Sequence, residues 1–351
     1  MLSTNQTATS QPKGRIEYID ALRGFTMILV VFQHIATFCW HINSKGISVH
    51  DFLLQVRMPM FFFISGFVLY KAGVVWDTRQ VISFFRKKIP VQLISPFVFF
   101  FVFVHVHGIP LKEAILEPDK IGYWFTYALF FYYVFYAAVR FCIRSRWSGL
   151  VLLAIGFALY HIALPEVDQI IPLSSQVKGF LSMPMWRYFL FFVIGTLVRE
   201  YYPRVEKWLD SLWLLAVCIC FYFLVNAFRS NLPYNIPVLD LAITLSGLVI
   251  LFSFFRVNRA SFSKDKVVGR SLQYIGRRTL DIYLIHHFLI PRNLDFITVF
   301  IDHPMPVIEA AVSLSIALLI VAASLLIGNI IRLSPFLAHW AFGAKKTSPN
   351  N

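Results

Sequence analysis

The sequence predicts an all-α integral membrane protein, a polytopic bundle of about ten transmembrane helices with both termini cytoplasmic. Three observations carry this: an apolar composition, apolar segments recurring at short intervals, and a lopsided placement of Lys and Arg. Hydrophobic residues make up 58% of the 351 and charged residues 14%, far from the soluble average. Apolar segments follow one another from Gly24 to Ile331, so one membrane domain over residues 15–335 accounts for nearly the whole chain. Backbone polar groups in hydrocarbon must be paired within their own segment, and the strict alternation of barrel strands is missing, so the segments read as helices. Residues 1–14 and 336–351 are expected to be cytoplasmic tails, the first of them polar and disordered. The order of basic, apolar and small residues that marks a cleavable signal peptide is not seen before the first span.

The ten spans fall near residues 21–41, 57–75, 89–107, 122–140, 147–164, 180–199, 210–227, 237–255, 273–291 and 306–332. The ninth is the least regular, because Pro291, Arg292, Asn293 and Asp295 interrupt or end it. Of the 32 Lys and Arg, 24 lie on one side of this arrangement and 7 on the other, Arg57 among the latter, with Arg187 inside the sixth span. The positive-inside rule then places both termini and the longer basic loops in the cytoplasm. The net charge of +14 is thereby a topology signal, and no nucleic-acid partner is expected. Cys39, Cys142, Cys218 and Cys220 lie in or beside apolar segments and read as packing residues.

Ionisable residues inside spans are expensive, so they are the candidates for function. In the first span Arg23 and His34 are eleven residues apart. Eleven steps of about 100° bring both side chains to one face, ~16 Å apart along the axis. That face carries a fixed cation near the membrane surface and an imidazole deep inside. Glu17, Asp20 and Arg23 form a charged collar at three-residue spacing, for which interfacial anchoring is an equal reading. His34 has its own plain alternative, a hydrogen bond between helices. Ser65 and Gly66 in the second span suit close helix approach before catalysis. The third span opens on Arg86, Lys87 and Lys88.

The ninth span reads IGRRTLDIYLIHHFLI, with Arg277 and Arg278 at its basic end and Asp281, Tyr283, His286 and His287 within it. Two histidines and a carboxylate exceed what packing requires. Asp281 and His286 are five apart and do not stack, while His287 is about 100° from His286, so one of the two histidines is expected to face packing or lipid. No metal is expected, since neither H-E-x-x-H nor Cys-x-x-Cys spacing occurs, and neither glycine-rich nucleotide signature is found.

Taken together, YIDALRG with Arg23-x10-His34, MPMFFFISGF, WFTYALFFYYVF, FFVIG and DIYLIH resemble, in this order, the membrane-bound acyltransferase 3 family of bacterial cell-envelope glycan O-acyltransferases. The resemblance implies a multi-pass protein of the bacterial inner membrane. Its implied activity is transfer of an acyl group, acetyl first, from acyl-CoA to a hydroxyl of an envelope glycan or lipid-linked sugar, with Arg23 and His34 functional. Two positions depart from the family. Its second basic motif, R-x-x-R, meets Arg86-Lys87-Lys88 and then Gln92, and a frequent Ser of the ninth span is Thr279.

Acyl transfer needs a base for the acceptor proton and stabilisation of a tetrahedral oxyanion. His34 is the expected base, with an acyl-histidine intermediate left open. Arg23, too distant to tune His34 directly, is expected to bind the donor's phosphates, with Lys87, Lys88, Arg277 and Arg278 adding positive charge. His286, Tyr283 and Ser65 are candidates for orienting the acceptor or stabilising the oxyanion, and Asp20 for support. The competing function is a multi-span transporter or flippase of an envelope precursor. Oligomeric state and acceptor identity are not legible.

Overall fold

The computed structural model describes residues 16–39, 49–163, 172–228, 236–291 and 306–344, with side chains from Gln55 and Val307 onward in the segments that begin at 49 and 306. Its helices, in chain order, are α1 (Glu17–Cys39), α2 (Val49–Leu69), α3 (Thr78–Ile89), α4 (Ser95–Val106), α5 (Leu111–Leu116), α6 (Trp124–Cys142), α7 (Trp147–Ile162) and α8 (Ser175–Phe180). There follow α9 (Phe189–Glu200), α10 (Tyr202–Leu209), α11 (Leu212–Ala227), α12 (Pro237–Val257), α13 (Val267–Arg277), α14 (Thr279–Leu289), α15 (Pro306–Arg332) and α16 (Pro335–Phe342). No strand occurs among the described residues. Among the described residues five helices are long and apolar enough to cross a membrane: α1, the rod made by α3 and α4, α6, α12 and α15. The pair α10 and α11, bent by 68°, makes a sixth if it is one span, and α2 and α7 contribute shorter apolar helices.

Several boundaries differ from those expected, each for a local reason. The second span was expected at 57–75, but α2 starts at Val49 and ends at Leu69, before a turn in which Gly73 has φ +78°. Arg57 thereby belongs to a helix and not to a loop. The third span starts eleven residues early, because the Asp77 carboxylate caps α3 by accepting from the Gln80 amide at 2.7 Å. Arg86, Lys87 and Lys88 are therefore helical. Pro90 has no N–H to donate, and the helix passes it through a π turn over Pro90–Ile94 into α4. The ninth span is broken at Arg278 into α13 and α14, and the sixth begins as a 3₁₀ segment, Met183–Tyr188. Within the expected C-terminal tail, α16 packs back on α4, where Ser95 donates to the Trp340 carbonyl at 3.2 Å.

Two crossings hold the centre together. A Cβ on Gly24 of α1 would overlap the Leu272 carbonyl, and one on Gly276 of α13 would overlap that of Asp20. The same reciprocity joins α2 to α9, with Gly66 on the Phe192 carbonyl and Gly195 on that of Phe63. Small residues let backbones approach this closely where lipid supplies no hydrophobic drive between helices. The expected packing role of Gly66 is thus met. Around these crossings Val31, Ile35, Phe62, Phe192, Ile282 and Leu284 form a sealed apolar core.

A third feature positions the site. Before α6 three successive residues have left-handed backbones, Lys120, Ile121 and Gly122, with φ of 50°, 53° and 92°. For the two non-glycine residues this conformation is strained. Local bonds hold it: the Ile121 amide donates to the Asp119 carboxylate at 3.0 Å, and the Lys120 ammonium donates to the carbonyls of Glu117 and Gly179 at 2.9 and 2.6 Å. Burial pushes that ammonium down to about 8. The turn lays Gly122 flat against the ring of His287, where a Cβ would overlap the imidazole. Gly108 also has a positive φ, of +64°, but faces open space. Ala at either position should cost about 1 kcal/mol for the backbone, and only Gly122→Ala should cost more. Thermal unfolding in detergent checks this, and equal losses for Gly122→Ala and Gly108→Ala would show that the His287 contact carries no weight.

Candidate active site

A cavity of about 620 Å³ runs through the bundle between α1, α2, the α3–α4 rod, α6 and α14. At one end it is lined by Arg23, Lys71, Lys87, Lys88 and Arg140, and at the other by His34, Arg57 and Tyr283. The helix directions explain the gradient. Helix α1 runs away from the basic end, carrying His34 ~16 Å beyond Arg23, and α2 returns toward it, placing Arg57 ~18 Å short of Leu69. His34 and Arg57 therefore reach the same depth from neighbouring helices, and the charge of Arg57 acts on His34.

Behind His34 lie the two histidines of α14. The His34 ring centroid is 5.3 Å from that of His286 and 4.9 Å from that of His287, and the latter two are 4.2 Å apart. His286 is fully buried and His287 is 4% exposed, so neither faces lipid. Of the two expected alternatives for one of them, packing or lipid, packing is the one that fits: α14 is enclosed by α1, α15 and the turn at Gly122, and both flanks of its last turn are covered. The Nδ1 of His286 lies 2.9 Å from the Ile282 carbonyl, which can only accept, so Nδ1 carries the proton. Its Nε2 is left with a lone pair, buried and without a hydrogen-bond partner. Tyr283, one turn earlier, donates to the Gly122 carbonyl at 3.3 Å and tethers the strained turn to α14.

Among the described residues the three imidazoles are a group that could hold a metal, their ligand atoms all within 4.8 Å of one another. A tetrahedral zinc bound at 2.0–2.1 Å needs nitrogens only ~3.4 Å apart. The rings would have to draw together, with the Arg57 charge beside them.

Several expected site residues meet at the cavity and others do not. Arg23, His34, Ser65, Lys87, Lys88 and Tyr283 line it. Ser65 bonds back to the Phe61 carbonyl at 2.8 Å. The Lys88 ammonium sits 4.7 Å over the Tyr133 ring. Gln92 has turned inward at the π turn, so the position where the family's second Arg is expected borders the cavity with a buried amide oxygen that accepts no bond. His286 stands behind His34, and Asp20 is buried beside α13 outside the cavity. Arg277 and Arg278 are not at its basic mouth. Arg277 is exposed elsewhere, and Arg278 donates to Asp281 at 3.1 Å. Asp281 also receives two bonds from Arg332, at 2.7 and 2.8 Å, so this buried carboxylate joins α14 to α15. Arg57 and Gly122 escaped the sequence reading. The signal for Arg57 was a cation within the run VRMPMFFFISGF, hidden because the span was started at that residue.

A sequence model of the family described as an acyltransferase domain, Acyl_transf_3, matches residues 16–330. No curated protein and no solved structure matches the chain. The match takes in every helix that lines the cavity and both halves of the histidine cluster, and on it this multi-pass membrane protein belongs to the acyltransferase 3 family.

Proposed function

We propose that the protein transfers an acyl group, acetyl first, from acyl-CoA to a hydroxyl of a cell-envelope glycan or lipid-linked sugar, in the bacterial inner membrane. The ten-span arrangement with cytoplasmic termini is part of this reading and rests on the Lys and Arg bias. The observation that carries it is the shape of the cavity, cationic at one end and imidazole-lined ~16 Å further in. A CoA thioester has the matching polarity, with phosphates at one end, the acyl group at the other and an extended pantetheine arm between.

In this reading Arg23, Lys87 and Lys88 receive the phosphates, and their positive charge stands where cytoplasmic acyl-CoA arrives. His34 takes the proton of the acceptor hydroxyl as it attacks the thioester carbonyl. Its position in front of His286 and His287 fixes the ring from behind by contact with two buried imidazoles. Tyr283 and Ser65 border the path of the thioester.

Donor binding and transfer are separable. Arg23→Ala should weaken acyl-CoA binding by about tenfold, the worth of one charge-assisted contact. Calorimetry on the detergent-purified protein measures this, and unchanged affinity defeats the phosphate role of Arg23. His34→Ala should keep donor affinity within a factor of about two while transfer to envelope glycan acceptors falls 10²-fold or more. Labelled acetyl-CoA supplies the readout, and a His34→Ala protein that still transfers at the wild-type rate removes His34 as the base.

A further inference from the structure

Several arginines of the bundle are tied to carboxylates. Arg140 pairs with Glu200, Arg256 with Glu206 and Asp210, and Arg332 with Asp281. Arg57 makes no ion pair among the described residues. Its Nε is buried without a hydrogen-bond partner, and the nearby Tyr188 hydroxyl is bonded to Arg187 at 3.0 Å. An arginine inside a span without a counter-charge is costly, and such residues mark the place where a charge must be met during function.

Arg57 lines the cavity at the depth of His34 and acts on it electrostatically. A guanidinium this close to the general base cannot itself be a base, since it does not give up its proton. It can only donate hydrogen bonds to negative charge. On the reading of the site as an acyl transferase, the one negative charge that forms at that depth is the oxygen of the tetrahedral adduct.

We propose that Arg57 is a catalytic residue that stabilises this oxyanion. The acceptor oxygen bonds to the thioester carbon while its proton passes to His34. The carbonyl π pair moves onto the carbonyl oxygen, which takes hydrogen bonds from the Arg57 guanidinium. The pair then returns, the C–S bond breaks, and the CoA thiolate takes the proton back from His34. In the adduct the oxyanion lies between an imidazolium and a guanidinium and offsets their mutual repulsion. In the ground state the carbonyl is neutral, so the contact is stronger in the transition state than in the bound donor, which is the condition for acceleration. The proposal rests on the acyl-CoA reading and adds to it the group that carries the developing charge.

Two CoA analogues test it without an acceptor: S-acetonyl-CoA, a neutral ketone, and the CoA S-ester of methylphosphonic acid, which is tetrahedral and anionic at the reacting centre. The full-length protein in detergent should bind the phosphonate roughly 10²-fold tighter than the ketone, by the usual worth of an oxyanion donor. Arg57→Gln should abolish that preference and leave ketone affinity within a factor of about two, and Arg57→Lys should retain part of it. A wild-type protein that binds the ketone but no better the phosphonate overturns the role of Arg57 and leaves the acyl-CoA reading standing. Loss of ketone binding in both Arg57 variants marks Arg57 as a structural residue and likewise overturns the proposal. A wild-type protein that binds neither analogue removes the acyl-CoA reading, and the proposal with it.

Discussion

The cost of holding charge away from water governs this bundle. Each ionisable group within the helices must find an opposite charge, a ring of hydrogen-bond partners, or a cavity. Asp281 illustrates the first solution: two arginines from different elements meet its carboxylate, and α14 is thereby locked to α15. Arg256 illustrates the same for α12, which its guanidinium ties to Glu206 and Asp210 at the C-terminal end of α10. Each of these buried groups has two partners, so its charge stays compensated when one of them is removed. The ion pairs therefore act as rivets between helices that lipid does not otherwise drive together.

The Asp281 pairs matter for the cavity because they fix α14, which borders it, while taking no part in its lining. With α14 held by Asp281 from one side and by the Gly24–Gly276 crossing through α13 from the other, His286 and His287 have no freedom to swing outward. The strained turn at Lys120–Gly122 closes the third side. Its backbone costs energy that an unstrained loop would not, and the return is a flat glycine surface on which the His287 ring rests. Rigid support of this kind is what a reacting imidazole needs, since orientation errors of the order of 1 Å degrade transfer steeply.

How much of this was legible in the sequence follows from what each feature depends on. Helices in apolar runs, the Arg23–His34 face and the small pair at Gly66 depend on local pattern, and all three appear as read. The inward turn of Gln92 was hidden because a π turn adds a residue to the helical register, and one Pro does not announce whether a helix will break, kink or widen. The meeting of His34 with both His286 and His287 was hidden for a different reason. A helical wheel treats a helix as having one buried face, whereas α14 is enclosed all round, so residues 100° apart are both interior. Arg277 and Arg278 looked like donors to a phosphate because charge was counted by loop. Which way each points depends on the break at Arg278, where α13 ends and α14 starts in a new direction.

The three-dimensional arrangement also alters what the Arg23–His34 spacing means. Read along one helix, eleven residues separate a cation from an imidazole, and either could serve without the other. In the bundle both residues line one cavity that α2 also borders, running in the opposite sense, so a second cation, Arg57, arrives at the level of His34. The two arginines then differ in what surrounds them and hence in what they can do. Arg23 stands at a mouth shared with Lys87 and Lys88, where positive charge is plural and a polyanion is held by several partners at once. Arg57 stands among aromatic rings and methionine, where the dielectric is low and one charge weighs far more. A donor molecule that spans the two would be bound by the many weak cations at its anchored end and acted on by the one strong cation at its reactive end. Binding and acceleration would then be assigned to opposite ends of one helix interval, which lets either be tuned without disturbing the other.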